Sequence, residues 1–197
     1  MGWDDLKSQA KDENDKDREK WVGAYIGAVA VLLAICAMGG ANSTKEATLK
    51  SVEASNRYAF YQAKSIRRND YGLQAFNLEV MLKASPALSA ADKDDLKAKI
   101  ATYRSEEVRL KSEAKEGMDA LLASAKVLQE DRDVALRKDP YFDFGQAFLQ
   151  IAIVLASVAL ITGGWPLLMG SFGCAVFGVI MTLNGFFLLV KVPFIES

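Results

Sequence analysis

The chain has 197 residues, 51% hydrophobic and 25% charged, with a formal net charge of −1 and no histidine. Lack of histidine removes the commonest general base and the commonest metal ligand, and the near-neutral balance argues against a nucleic-acid surface, which needs a basic excess. The two cysteines, Cys36 and Cys174, both sit in apolar stretches and cannot form a CxxC metal knuckle, so cysteine usage does not indicate a redox compartment.

The average hides a segregation. No charged residue occurs from Trp21 to Thr44, and none for 47 residues from Phe144 to Val190. A bilayer core needs about 20 apolar residues per helix, and both stretches meet that requirement. The expectation is an all-α integral membrane protein with three transmembrane helices. A long antiparallel helical-hairpin stalk, coiled-coil-like, is inserted between spans one and two.

Residues 1–20 form a polar N-terminal tail or short polar helix, with five basic and seven acidic side chains and no hydrophobic pattern. Leu6 stands where a myristoylation signal has Ser or Thr. A cleaved signal peptide fits poorly, because Trp21–Met38 is long for its apolar core and follows a net acidic segment. Residues 21–40 are the first transmembrane helix, with Trp21 and Tyr25 at its polar boundary and Gly39-Gly40 ending or bending it. Small residues in this span, the GxxxG pair Gly23 and Gly27, are candidates for close helix packing in lipid.

Residues 41–140 read as the hairpin stalk, with its turn near 83–90. In the first arm Val52, Ala59, Ile66, Leu73 and Val80 recur every seven residues, and the companion series 49, 56, 63, 70, 77 is mixed. That pattern gives a narrow seam. Pro86 and Ser89 mark the reversal, Ser89 as a helix cap ahead of Asp92. The second arm continues the apolar pattern from Leu96 and Leu110 through Leu121 to Ala135. Arms of about 40 and 50 residues give a stalk roughly 60–70 Å long. Its 18 basic and 16 acidic residues suit a salt-bridged surface.

Within the first arm, "RYAFYQAKSIRRNDY" concentrates aromatic and cationic side chains. Tyr58, Phe60, Tyr61, Lys64, Arg67 and Arg68 form a candidate interaction patch. One reading packs the rings against the second arm or a neighbouring protomer beneath the Lys and Arg stems. The other makes the patch a recognition surface for a protein partner or an anionic group.

Residues 141–163 are the second span, preceded by Pro140, which should interrupt the polar helix, and opening on an interfacial girdle of Tyr141, Phe142 and Phe144. The 47 uncharged residues are too long for one crossing, so "TGGWP" (Thr162–Pro166) should turn the chain. Residues 164–191 are the third span, and 192–197 a short tail. Gly170, Cys174, Gly178 and Thr182 repeat at four-residue spacing as a second packing stripe, and Asn184 is a polar group that glues helices or lines a path.

Two of these stretches resemble a known family. "ASNRYAFYQAKSIR" (Ala54–Arg67) and "FDFGQAFLQIAIVLASVALIT" (Phe142–Thr162) resemble motifs of the domain-of-unknown-function 4337 family (DUF4337), in the same order and at the same separation. The resemblance implies a small bacterial membrane protein and carries over no catalytic residue and no cofactor. It also leads us to expect an acidic residue at one or both of Gln146 and Gln150, where this chain has amides. The amides remove the charge that a proton or cation role for that pair would need.

The expected function is therefore a non-enzymatic, self-associating scaffold in the bacterial inner membrane. Its partners would be lipids, further copies of itself and a protein bound through the stalk, without nucleic acid, small-molecule substrate, metal or cofactor. The alternative is a small channel or an accessory subunit of a transporter. Five Lys/Arg residues before span one favour a cytoplasmic N-terminus and a periplasmic stalk.

Overall fold

A computed structural model describes the backbone of residues 3–192 and the side chains of residues 17–192. These residues are built from four helices without strands: α1 (Trp3–Ala84), α2 (Ala90–Ser112), α3 (Met118–Thr162) and α4 (Trp165–Phe187). Stretches of α1, α3 and α4 are long and apolar enough to cross a membrane. The chain divides into two compact units, Met1–Ala47 with Val134–Ser197, and Thr48–Asp133.

In the first unit, parts of α1 and α3 pack with α4 around Val29, Cys36, Phe142, Leu149, Ala152 and Ala175. Many of the larger apolar side chains instead point outward: Ile35, Val154, Phe172 and Ile180 are each 46–60% exposed. An inside that sets small residues such as Ala152, Ala156 and Ala175 beside Phe142 and Leu149, with large apolar side chains outside, suits a lipid solvent, where close backbone approach drives packing.

The turn at Gly163-Gly164 lies where "TGGWP" placed it. Gly163 has φ +69°, a left-handed conformation that costs glycine little. The carbonyl of this residue accepts a hydrogen bond from Arg18 Nη1 at 3.3 Å. Pro166 then sits in the first turn of α4, where its missing N–H is harmless.

Three expectations about this unit are corrected. The helix does not end at Gly39-Gly40; α1 continues through both residues. Pro140 does not interrupt the chain but lies inside α3, with the backbone helical on both sides. The supposed aromatic girdle is largely internal: Tyr141 is 0% and Phe142 1% exposed, and Phe144 is the member that faces out. The glycines explain the first and third together. A Cβ on Gly39 would stand 2.5–3.0 Å from the Phe142 ring, and one on Gly185 about as close at 3.0 Å. Gly39 is thus a socket for Phe142.

In the second unit, the reversal falls at Ser85–Ser89, and Ser89 Oγ accepts from the Asp92 N–H at 3.2 Å as a helix cap. The following arm is not one helix. It breaks at Glu113–Gly117 between α2 and α3. A Cβ on Gly117 would stand 2.6 Å from Glu113 N and 2.8 Å from Lys111 O, so only glycine lets the chain double back so tightly.

The heptad seam of α1 is not spent within the unit. Val52, Ile66, Leu73 and Val80 do not face α2 or α3; they are 48–62% exposed. The face of α1 that is buried within the unit carries Ala54 and Ala75 instead, at 3% and 0% exposure, with half-buried Tyr61 and Arg68 at the same heptad position between them. Alanine lets the helices approach closely, and the long side chains beside it then reach across.

Candidate functional site

The aromatic-cationic segment divides into two populations on α1. Tyr58, Tyr61, Lys64 and Arg68 turn toward the inside of their unit, and Phe60 and Arg67 turn away from it. The phenol of Tyr58 donates to Gln129 Oε1 at 2.9 Å. Lys64 Nζ lies 3.6 Å from Glu113 and 3.8 Å from Glu116, spanning the break between α2 and α3. Arg68 Nε is 3.7 Å from Glu107, and the rings of Tyr71 and Tyr103 meet with centroids 5.7 Å apart. Arg104 joins Glu79 on α1 to Glu107 on its own helix, 3.0 Å from each.

Four of the six patch residues therefore serve the unit's own packing. The acids of "SEEVRLKSEAKEG" are their counter-charges, and they also pair locally. The Arg109 guanidinium hydrogen-bonds Glu106 and holds its carboxyl below the usual range. What remains outside is an apolar stripe on the opposite side of α1. It includes Leu49, Val52, Phe60 and Ile66, and continues through Leu73, Phe76, Val80 and Met81, all 48–62% exposed. In water, a contiguous apolar surface of this length marks an interaction site. The spacing of Val52, Ile66, Leu73 and Val80 was legible in the sequence; which side of the helix stayed free was not.

The packing candidates in the apolar helices behave differently from one another. Gly178 is a true contact point: a Cβ there would stand 2.8 Å from Leu149 and 3.1 Å from the Gly145 carbonyl. Gly145, not singled out from the sequence, is its counterpart on α3, with Cys36 Sγ and Thr182 Oγ1 both 2.9 Å from its Cβ position. Thr182 and Cys174 are half-buried on that same face. Gly170 is exposed, with Leu155 Cδ1 3.8 Å from its Cβ position. Gly23 and Gly27 have nothing within 4 Å of their Cβ positions, so that GxxxG makes no close contact among the described residues.

Asn184 is buried, and its amide is used at the end of its own helix. Nδ2 donates to the Val190 carbonyl and Oδ1 accepts from the Val190 N–H, both at 2.8 Å. Tyr141 Oη completes the clasp by donating to Val190 O at 3.2 Å and accepting from the Val192 N–H at 3.0 Å. The polar group expected to join helices or line a path instead ties down the chain beyond Leu188, whose φ of 48° closes α4. Gln150 is exposed and Gln146 half-buried beside the Phe142 socket.

A cleft of about 540 Å³ opens between the N-terminal end of the apolar part of α1 and the start of α4. Trp21, Tyr25, Trp165 and Phe172 supply its walls, with Asp17 and Arg18 at the polar end. Tyr25 Oη is 3.0 Å from Ser171 Oγ, which donates in turn to the Ala152 carbonyl at 2.6 Å. Tryptophan and arginine beside an apolar groove are the residue types found at headgroup level in membrane proteins.

The fold and these surfaces define an all-helical class of protein in which three helices are able to cross a membrane. The family model described as "Domain of unknown function (DUF4337)" matches residues 18–188, and the chain belongs to that family. No curated protein and no solved structure matches the chain.

Proposed function

We propose that the protein is a multi-pass inner-membrane scaffold whose charged middle forms an antiparallel helical-hairpin stalk and gathers copies of itself. The observation that carries this is the apolar stripe on α1, which lies among charged residues and is left uncovered by α2 and α3. Supporting the hairpin, contacts run from Lys50–Asp131 through Lys64–Glu113 to Glu79–Arg104, rising along α1 while falling along the following helices. The role is non-enzymatic, with lipids and like chains as partners and with no cofactor or nucleic acid. A protein partner bound through the stalk would dock on the same stripe.

The N-terminus is cytoplasmic and the stalk periplasmic in this reading. Five Lys/Arg residues before the first apolar stretch support it. The Arg18 hydrogen bond to Gly163 supports a shared membrane face for the N-terminal segment and the α3–α4 turn. A pore within one protomer has less support, because Cys36, Phe142 and Leu149 fill the space among the apolar helices.

Native mass spectrometry of the full chain, solubilised in mild detergent, tests the scaffold. The expected result is a discrete homo-oligomer that in-membrane cross-linking reproduces. A strictly monomeric species by both methods would remove the reading.

A further inference from the structure

Deepening the scaffold reading and resting on it, we propose that α1 pairs with α1 of a second copy as a parallel two-stranded coiled coil. The contact runs from Leu49 to Met81. Assigned heptad letters, Val52, Ala59, Ile66, Leu73 and Val80 are d positions, and Leu49, Asn56, Ala63, Asp70 and Asn77 are a positions. All ten are exposed. The buried heptad position of the same helix, containing Ala54 and Ala75, is f, on the far side of the cylinder. One helix therefore carries two seams, and among the described residues only one of them is occupied.

Three features select a second copy as the occupant. The first is the repeat: Val52, Ala59, Ile66, Leu73 and Val80 recur every seven residues, the spacing that keeps a stripe facing another helix with the same period, while the companion a positions are mixed. The second is area. From their exposures the eight large apolar side chains offer on the order of 900 Å², and each partner in a stable interface gives about 800 Å². Pairing must therefore cover nearly the whole stripe, including Phe76 and Met81 at its far end.

The third is polar and charge matching. Asn56 and Asn77 are a-position amides, which pair with their own counterparts in parallel two-stranded coils and set the register. In that register the flanking g and e′ residues meet without like charges. Gln62 faces Arg67 of the other copy, Thr48 faces Glu53, and Phe76 faces Met81 in a sulfur–aromatic contact. A lipid face would not place Asn56, Asp70 and Asn77 along its centre line. Asp70 is the one discordant layer, because each carboxylate meets its copy and weakens the pairing, so the association is reversible.

The test uses the full chain in detergent or lipid nanodiscs. Ile66→Cys and Leu73→Cys are each oxidised alone, with Ser51→Cys as an exposed position off the stripe and the parent chain as background. Covalent dimer is expected from both stripe variants and not from Ser51→Cys. In an antiparallel pairing centred on the stripe Leu73 would face Asn56, and Leu73→Cys alone would give no dimer. Asp70→Leu should tighten the dissociation constant by about tenfold or more, and Leu73→Asp should loosen it as much. Circular dichroism should show unchanged helix content, since both side chains are exposed. An oligomer in native mass spectrometry without stripe cross-links, or with Asp70→Leu unchanged or weaker, overturns the seam and leaves the scaffold standing. A monomer in that measurement overturns both.

Discussion

Phe142 shows how much of the apolar unit depends on the absence of side chains. Its ring occupies the space that Cβ atoms on Gly39 and Gly185 would take. Gly39→Ala should therefore force the ring or a helix to move, costing about 1–3 kcal/mol as overpacking does. The check is the thermal midpoint of helix melting in detergent. Phe142→Leu in the same chain should recover part of the loss, because the two side chains compete for one space; strictly additive losses would contradict the socket. The sequence shows "GG" and "FDFG" plainly, but not that they meet across about 100 residues. Read locally, a glycine pair means a helix end and an aromatic near a span means an interface. Both inferences failed here because distant packing, not local preference, decided the outcome. Asn184 teaches the same lesson, since a lone amide in an apolar helix was recognisable and its partner, the backbone of Val190, was not.

At the scale of elements, the second arm owes its division into α2 and α3 to a single residue. Gly117 allows the chain to fold back on Glu113, and Lys64 of α1 spans the gap through Glu113 and Glu116. Gly117→Val should destabilise this unit by at least about 1 kcal/mol, because its side chain would meet the backbone of Glu113 and Lys111. Limited proteolysis would read it as faster cleavage near residues 113–117; unchanged cleavage and midpoint would refute the steric account. Isolated glycine in a helical pattern is usually tolerated, so nothing local distinguished Gly117 from a harmless one. The Ser89 cap and the Gly163-Gly164 turn were readable because a cap and a left-handed turn are local chemistry.

For the whole molecule, topology is the quantity to measure. Helix α4 has 23 residues and so spans about 34 Å, slightly more than a hydrocarbon core of about 30 Å. Gly164→Cys and Lys191→Cys should react with a membrane-impermeant maleimide from opposite sides of intact membranes, with the parent chain controlling for Cys36 and Cys174. Labelling of both from one side would exclude a third crossing. The amino-acid order by itself determined the helical class, the three stretches long and apolar enough to cross a membrane, and the heptad repeat on α1. Each depends on hydropathy or period along one segment, which is written into that segment. Only the tertiary structure decided which face of α1 is spent inside the protomer. The sequence ranks Val, Ile and Leu above Ala as core residues, whereas close approach of the helices and the reach of Tyr58, Lys64 and Arg68 to their partners favour the alanine face. The stronger apolar face is left over, and that residue of unsatisfied surface is where a partner is to be sought.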